Sequence, residues 1–340
     1  MLTSGFLFLH ESYQPFYRAH YAILARMKNP NLQYVHCNLC GRDEVEPMYP
    51  NTLNGDESKA NWLPYACTSS NYGLHHTIVR CKYCGLVYAN PRLHHRQILK
   101  SYQSVQDPLY EKEKNGRIRT FEHHLEALEA IIGPAQGRRL LDIGAYTGVF
   151  VQVARTRGWA AEGLEPSSWA AEIAKSNNIP VQHGLLESTD FPASTYDVAT
   201  MWDVIEHLVD PAKALQQTFD VLKPGGYAVV HTMDIESRFA RVMGERWPWL
   251  MQMHIIFFSK HTLHKMLEKT GFQVLDIRPE GRFLRLGYLM GRLRAFSPII
   301  GAPAEKIAHV LRLTETPIPV NFGDLITAYA QKPASISKNA

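Results

Sequence analysis

Two pairs of cysteines have the spacing of metal ligands. Cys37 and Cys40 form one C-x-x-C pair, and Cys81 and Cys84 form the second. Zinc prefers four thiolate or imidazole ligands at the corners of a tetrahedron, and this spacing sets two thiolates at a suitable distance. A glycine follows each pair, where a tight turn favours a residue that can adopt a positive φ. The pattern predicts a closed, structural zinc site of four cysteines; buried free thiols are the alternative.

The cysteine count and the composition also indicate the class of protein. Five cysteines in 340 residues, with only Cys67 outside a pair, do not suit a small secreted disulfide scaffold and favour a reducing compartment. The chain is 45% hydrophobic and 20% charged, with a net charge of +4, which is ordinary for a globular protein. It has neither a signal-peptide pattern at its start nor an apolar run of about 18 residues. We expect a soluble, cytoplasmic protein in which Cys67 is a plain core or loop residue.

A glycine loop and a later carboxylate form a second group of functional candidates. In "LLDIGAYTGVF", Asp142, Gly144 and Gly148 lie between an apolar strand and a helix, and Glu165 stands at the end of the next strand. Ligands of open parallel sheets bind at such strand ends, and a carboxylate there can accept hydrogen bonds from both hydroxyls of a ribose. The set predicts a nucleotide-like ligand. In the alternative interpretation the glycines serve only a tight turn; the G-x-G-x-x-G spacing of dinucleotide-binding proteins is absent.

The elements that would position these residues alternate between strand and helix from Arg138 onward. Seven short apolar segments have the character of strands: "RRLLDIG", "WAAEGLEP", "PVQHG", "YDVATMWDV", "YAVVHTM", "QVLDIRP" and "DLITAYAQK". Helical segments separate most of them, including one with Asp210 as its expected N-cap and Pro211 as its first helical residue. The alternation predicts an α/β fold, with a doubly wound, mostly parallel sheet and helices on both faces.

The span from about 138 to 278 resembles the class I S-adenosylmethionine-dependent methyltransferases, particularly those with the motifs "DVIEHLVDP" and "VLKPGGY". The resemblance implies a Rossmann-like sheet of seven strands and S-adenosylmethionine as the cofactor. It assigns the glycine loop to the amino-acid portion of the cofactor, Glu165 to the ribose, the residues after the third strand to the adenine, and those after the fourth to the methionine end. The implied cofactor residues are Asp142, Gly144, Tyr146, Gly148, Glu165, Leu185, Leu186, Trp202 and Asp203. Two residues depart from the family pattern: Tyr146 replaces the middle glycine, and Leu185 replaces an acidic residue often found there.

The arrangement of a cysteine module before a methyltransferase core also resembles one found in known enzymes. Sugar C-methyltransferases of natural-product pathways, and methyltransferases encoded with surface-polysaccharide synthesis, resemble this arrangement. The resemblance implies that the module walls the acceptor site without doing chemistry, and that the acceptor is a sugar, nucleotide-sugar or glycan precursor. The expected organisation is an N-terminal arm at 1–33, a zinc-binding module at 34–92, a helical linker or cap at 93–137, the methyltransferase core at 138–280, a helical insertion or lid at 281–318, and the last strand and tail at 319–340.

Two histidines are candidates for the base that methyl transfer to a hydroxyl or a carbon acid requires. His254 follows the fifth strand in an aromatic stretch, and His207 follows the fourth strand close to the expected cofactor. Each has a structural alternative, as a packed histidine or as one that fixes loop geometry. A metal ion is a further alternative, because Asp203, Glu206 and His207 resemble the E-x-x-E-H metal site of some quinone O-methyltransferases. Oxygen and imidazole ligands there would suit magnesium or a similar ion.

The segment at 281–312 is apolar but carries five arginines: Arg282, Arg285, Arg292, Arg294 and Arg312. Three interpretations are open. It is a helical cover with solvated arginines, a lid over an anionic acceptor such as a nucleotide-sugar diphosphate, or an interfacial helix that makes a peripheral membrane contact near a lipid-linked acceptor.

Two other functions are compatible with these patterns. An RNA methyltransferase would use the zinc-binding module to grip nucleic acid, but residues 34–92 have only a modest excess of basic over acidic residues, so a nucleic-acid partner is not expected. A non-catalytic binding protein would keep the same fold as a scaffold. Oxygen, carbon and nitrogen acceptors, and any oligomeric state, fit the sequence equally.

Overall fold

A computed structural model describes residues 31–53 and 65–334 of the chain. Most of the arm expected at 1–33, and much of the turn-rich insert after Tyr49, therefore lie outside the described residues. The strands are β1 (Leu32–Gln33), β2 (Val45–Tyr49), β3 (Ile78–Cys81), β4 (Val87–Ala89), β5 (Arg92–Leu93), β6 (Arg139–Ile143), β7 (Ala160–Glu165), β8 (Val181–His183), β9 (Tyr196–Trp202), β10 (Leu222–Met233), β11 (Ile256–Phe257), β12 (Gln273–Pro279), β13 (Arg282–Arg285), β14 (Pro317–Val320) and β15 (Leu325–Gln331). The α-helices are α1 (His95–Gln103), α2 (Pro108–Lys112), α3 (Lys114–Ile132), α4 (Val149–Thr156), α5 (Ser168–Ser176), α6 (Pro211–Val221), α7 (Arg238–Met243), α8 (Lys260–Lys269), α9 (Leu286–Phe296) and α10 (Pro298–Val310).

A seven-stranded sheet forms the centre of the fold. Its strand order is β12-β15-β10-β9-β6-β7-β8, and only β15 runs antiparallel to its two neighbours. The seven strands are the seven segments expected from the sequence, so the predicted α/β fold with a mostly parallel sheet is confirmed. The order of the strands reverses between β6 and β9, and the crevice at such a point is where open α/β sheets bind ligands.

Local sequence sets the ends of the helices around this crevice. Asp210 caps α6 as predicted, since its carboxylate accepts a hydrogen bond from the backbone N–H of Lys213, and Pro211 occupies the first turn. Helix α3 ends at Gly133, whose φ of 82° is the left-handed conformation that glycine adopts at low cost. Among the described residues, no helix has the length and apolarity needed to cross a bilayer.

A smaller four-stranded sheet joins the N-terminal module to the core. Its order is β11-β4-β3-β2, so the strand β11 from the segment 138–280 completes a sheet that is otherwise built from the segment 34–92. Ile256 pairs with Tyr88 and Phe257 with Val87, in antiparallel register. Backbone hydrogen bonds therefore connect the two segments directly.

A buried carboxylate holds α3 against the central sheet. Glu280 lies 3.0 Å from Nδ1 of His124 on α3, and it accepts hydrogen bonds from Thr327 at 2.9 Å, Tyr329 at 2.7 Å and Arg278 at 2.8 Å. Burial opposes ionisation of this group, but the hydrogen bonds from His124, Tyr329 and Arg278 outweigh burial and lower the pKa of Glu280 to about 2. The charged side chain of Glu280, both of whose oxygens have hydrogen-bond partners, thus connects α3 to the central sheet.

We predict that Glu280→Gln lowers the free energy of unfolding by about 2–4 kcal/mol, because it leaves buried donors without their charged acceptor. The matched control is Glu122→Gln on α3, whose partly exposed side chain pairs with exposed Arg119, and which should cost less than about 1 kcal/mol. Urea unfolding of both variants measures the difference.

The same measurement has a defined dependence on pH. The folded pKa of Glu280 lies below its unfolded value, so its stabilisation is complete above about pH 4 and is lost as the pH falls towards 2. The wild type should lose more stability on acidification than Glu280→Gln. Equal costs for the two substitutions would contradict the role of the buried carboxylate.

Candidate functional site

A cavity of about 470 Å³ lies at the carboxyl ends of β6, β7 and β9. It brings together most of the residues that the sequence singles out: Asp142, Gly144, Tyr146, Glu165, Leu185, Leu186, Trp202, Asp203, His207 and His254. Gly148 is not part of the lining. A Cβ atom at this residue would lie 2.7 Å from Cγ2 of Ile179, so its glycine serves the packing of the loop against the neighbouring strand and helix.

Glu165 ties the glycine loop to the next strand. One carboxylate oxygen accepts the backbone N–H of Tyr146 at 2.8 Å, and the other accepts the N–H of Ser167 at 2.7 Å. The side chain is 4% exposed, and this burial raises the pKa of Glu165 to about 7 against the effect of the two N–H groups. Each oxygen keeps a further lone pair that can accept a hydrogen bond from a ligand.

Tyr146 explains how the loop departs from the expected glycine pattern. Its φ of 49° is left-handed, a conformation that costs a non-glycine residue on the order of 1 kcal/mol. Its ring packs edge-to-face on Tyr110 with centroids 4.3 Å apart. The Tyr146 hydroxyl is buried in the cavity wall without a hydrogen-bond partner among the described residues. Where the family has its middle glycine, Tyr146 therefore contributes a packed ring to the cavity wall and a hydroxyl that has no hydrogen-bond partner among the described residues.

The surroundings of Asp142 and Asp203 shift the pKa values of these two carboxyl groups in opposite directions. Asp142 is buried and accepts a hydrogen bond from Thr200 at 2.6 Å, and burial raises its pKa to about 8. Asp203 is also penalised by its low-dielectric setting, but Arg282, at 3.0 Å, and His231 outweigh this effect and lower its pKa to about 2. The ionised carboxylate in this part of the cavity is therefore the one beside an arginine.

The ring of His207 is fixed by the contacts of one nitrogen, Nδ1, with neighbouring protein atoms. Its Nδ1 lies 2.9 Å from the carbonyl oxygen of Met253 and 2.6 Å from the hydroxyl of Tyr102. A carbonyl oxygen can only accept, so the tautomer that forms a hydrogen bond with Met253 has its proton on Nδ1 and a lone pair on Nε2. Burial lowers the pKa of His207, which keeps the ring neutral near pH 7.

His254 lies beside His207 but is more enclosed. Their ring centroids are 4.9 Å apart, and Nδ1 of His254 lies 2.6 Å from the carbonyl oxygen of Trp249. Burial, followed by the neighbouring His207, lowers the pKa of His254 to about 3. The ligand atoms of Glu206, His207 and His254 all lie within 4.8 Å of one another. The geometry thus gathers a Glu-His-His set, whereas Asp203 of the expected metal set is bound to Arg282.

Several lining residues carry no recognisable signal in the sequence. Tyr102 on α1 and Arg117 on α3 come from outside the strand ends, where no spacing rule marks them. The guanidinium of Arg117 lies 3.5 Å from the ring centroid of Tyr110 and has no carboxylate partner among the described residues. An unpaired cation in a cavity wall favours a ligand that carries a negative charge.

The four paired cysteines converge in the N-terminal module. Sγ of Cys37 lies 3.4 Å from that of Cys84, and Sγ of Cys40 lies 3.5 Å from that of Cys81. The four sulfur atoms lie within 4.8 Å of one another, close to the roughly 3.8 Å edges of a tetrahedron with zinc–sulfur bonds of about 2.3 Å. The glycine after each pair has a φ of 77° or 79°, as the tight turns require. The donor set and its geometry fit a tetrahedral metal ion.

Comparison with known proteins identifies the core. Residues 113–277 match the protein family described as "Methyltransferase domain". This part of the chain is therefore a methyltransferase domain, and the central sheet has the fold of the class I S-adenosylmethionine-dependent enzymes. Its strand order and its cavity position are those expected for such a domain.

Curated relatives of the methyltransferase domain include two enzymes named "Ubiquinone biosynthesis O-methyltransferase". The protein from Alkalilimnicola ehrlichii is 26% identical over 117 residues, covering 32% of this chain and 47% of its own length. The protein from Aeromonas salmonicida is 27% identical over 155 residues, covering 42% of this chain and 65% of its own length. The chain thus spans between about half and two thirds of the length of these relatives. A solved "SAM dependent methyltransferase" from Archaeoglobus fulgidus is 20% identical, with a TM-score of 0.44 over 66% of this chain and all of that one.

The residues of the methyltransferase domain fit S-adenosylmethionine. Glu165 retains acceptor capacity for ribose hydroxyls, and the buried Tyr146 hydroxyl and Trp202 Nε1 lack partners among the described residues. Arg117 adds to the same cavity lining a cation without a carboxylate partner among the described residues. When bound, the cofactor supplies an electrophilic methyl group on a sulfonium.

We predict that Glu165→Ala weakens the binding of S-adenosylmethionine by about 1–3 kcal/mol, because the ribose hydroxyls lose a buried acceptor. The matched control is Glu162→Ala on the same strand, where the carboxylate is exposed and pairs with Arg139. Calorimetric titration measures both affinities. Unchanged affinity in Glu165→Ala would exclude the ribose role.

Binding should also depend on pH in a defined direction. Hydroxyl donors favour the ionised carboxylate, and burial places the pKa of Glu165 at about 7 in the free protein. The affinity for S-adenosylmethionine should therefore rise as the pH increases through about 7. The variant Glu165→Gln should lack this rise, and a pH dependence that persists in it would belong to another group.

Proposed function

We propose that this protein transfers the methyl group of S-adenosylmethionine to a small-molecule acceptor bound in the cavity. The observation that carries the proposal is that one cavity is lined both by the glycine loop and Glu165 and by His207. In this arrangement the loop orients the cofactor while the protein holds a neutral imidazole where an acceptor enters. A protein that only binds the cofactor does not need that imidazole.

His207 is the proposed general base. Tyr102 and Met253 fix the ring through Nδ1, so Nε2 can take the proton that the acceptor loses as the methyl group is transferred. His254 is buried more deeply and its pKa is lowered to about 3, so we assign it a supporting position beside His207. The aromatic and aliphatic wall around both rings excludes water and favours proton transfer within the cavity.

The proposed acceptor is a sugar, nucleotide-sugar or glycan precursor. Tyr72, Tyr288 and Arg292 also line the cavity, and we assign this wall to the acceptor; the guanidinium of Arg292 donates to both tyrosine hydroxyls and has no carboxylate partner among the described residues. Such a wall suits a polyhydroxylated acceptor with an anionic group. These residues lie outside the matched span 113–277, so the quinone-pathway names of the relatives concern the part of the chain that binds the cofactor. The proposed acceptors include glycans on a lipid carrier, because the segment 281–313, which contributes to this wall, is basic and exposes apolar side chains.

We expect His207→Ala to lower turnover by about 10²–10⁴-fold with little change in the affinity for S-adenosylmethionine. The control is His264→Ala on α8, a half-buried histidine that pairs with Glu268 and is not part of the cavity lining. Transfer of radiolabelled methyl groups to nucleotide sugars, and then to lipid-linked glycans, provides the assay, and calorimetry provides the affinity.

Three outcomes would change the proposal. Absence of cofactor binding by the folded protein would favour a non-catalytic role. Full turnover in His207→Ala would assign the base elsewhere. Turnover that a chelator abolishes and a divalent cation restores, with the cysteine site still loaded, would favour a metal at Glu206, His207 and His254.

We further propose that the four-cysteine cluster binds a structural zinc ion. The module positions the acceptor wall through Asn38, which lies between Cys37 and Cys40. The side chain of Asn38 donates to Asp210 at 2.8 Å and accepts the backbone N–H of Ala212 at 3.0 Å, at the start of α6. A metal that fixes the cysteine turns therefore also fixes the loop that precedes α6 and contains His207.

We predict that Cys81→Ser releases the metal and lowers the thermal midpoint, because a structural zinc supplies on the order of 10 kcal/mol of binding free energy. Methyl transfer should fall more than cofactor affinity, since Glu165 belongs to the central sheet. The matched control is Cys67→Ser, the cysteine outside the cluster, which should keep its metal. Atomic emission measures the metal content, and a full complement in Cys81→Ser would contradict the site.

A further inference from the structure

Helix α10 exposes a row of large apolar side chains. Ile299 is 89% exposed, and Ile300, Ile307 and Val310 are each more than half exposed; Phe296, Leu311 and Leu313 flank them and are also exposed. At about 100° per residue, the four helical positions and exposed Pro303 fall within an arc of about 100°. A soluble protein seldom leaves a contiguous apolar face of this kind uncovered.

The opposite face of α10 is already occupied. Gly301 and Ala308 are buried, and a Cβ atom at Gly301 would lie 2.2 Å from the backbone of Arg294, so α10 packs closely on α9. Helix α9 in turn lines the cavity through Tyr288, Leu289 and Arg292. The exposed face of α10 is therefore the outer surface of the cover over the acceptor end.

The charge of the molecule is concentrated on this cover. Residues 281–313 contain six lysines and arginines and one acidic residue, a net charge of +5, whereas the rest of the chain has a net charge of −1. Arg282, Arg285 and Arg294 pair with carboxylates. Lys306 and Arg312, both exposed, have no ion pair among the described residues. They flank the apolar row as uncompensated cations.

We infer that the outer face of α10 docks on an anionic lipid surface. A helix with an apolar face and flanking cations lies in the interfacial plane of a bilayer, with its isoleucines among the acyl chains and its cations near anionic headgroups. A second copy of this chain would meet the same cations with like charge, which disfavours a symmetric dimer through this face. Docking would bring the acceptor end of the cavity to the membrane, where a lipid-linked acceptor resides.

The experiment is sedimentation of the full chain with vesicles of phosphatidylcholine, with and without phosphatidylglycerol, in the absence of cofactor and acceptor. Wild type should bind the anionic vesicles. The double variant Ile299→Asp/Ile307→Asp should bind the anionic vesicles roughly tenfold or more weakly than wild type. Each substitution removes an isoleucine side chain whose carbon groups would be buried in the bilayer. Lys306→Glu/Arg312→Glu should weaken binding to anionic vesicles and reduce its salt dependence.

The matched control is Val242→Asp on α7, which alters an apolar residue that is 84% exposed outside the cover and should bind like wild type. Cofactor affinity of the Ile299→Asp/Ile307→Asp variant should equal that of wild type, which shows that it folds and separates this inference from the proposed function. Absence of vesicle binding by wild type, or equal losses in Val242→Asp, would overturn the inference. So would concentration-dependent dimerisation in analytical ultracentrifugation that Ile299→Asp/Ile307→Asp abolishes, since the face would then bind a second copy.

Discussion

The acceptor half of the cavity depends on a short backbone pairing between two distant parts of the chain. Ile256 and Phe257 pair with Tyr88 and Val87, and the N–H of Ala89 donates to the carbonyl oxygen of Ile255 at 2.9 Å. Backbone donors and acceptors that are removed from water must find partners, so this pairing fixes the segment before β11 in one register. That segment contains the carbonyl oxygens that hold both histidines. Without the module, the two imidazoles would lose the constraint that orients them.

Burial gives three cavity carboxyls a similar electrostatic character. The pKa values of Asp142 and Glu206 are raised to about 8 and that of Glu165 to about 7, chiefly by burial. Asp203 is the exception because Arg282 lies beside it. Near pH 7 much of the acidic charge is therefore neutralised, while Arg117 and the other cavity arginines keep theirs. The cavity arginines therefore favour negatively charged groups on a ligand, such as the carboxylate of S-adenosylmethionine.

The sequence indicates that Glu165 and the glycine loop lie at the cavity but gives no signal for Tyr102 or Arg117, for a physical reason. Glu165 and the glycine loop are local features of strand ends, and a parallel sheet brings such ends together whatever the loops do. The two C-x-x-C pairs are likewise local features, because the spacing within each pair sets the distance between its two thiolates. Tyr102 and Arg117, by contrast, reach the cavity only because their helices pack across the sheet. The buried contact of Glu280 with His124 joins positions 156 residues apart, and no periodicity encodes it.

The division between the halves also explains how one fold can serve different acceptors. The cofactor end is built within the central sheet, where a changed residue disturbs the packing that every strand shares. The rest of the cavity is lined by residues of the module, α1 and the cover, which join the fold through β11, through a shared hydrophobic core and through ion pairs such as that of Arg285 with Glu113. Changes in these surfaces can alter the acceptor without altering the geometry around Glu165. The proposed acceptor site therefore depends on contacts between segments, and the basic, apolar outer face of α10 belongs to the same peripheral part of the molecule.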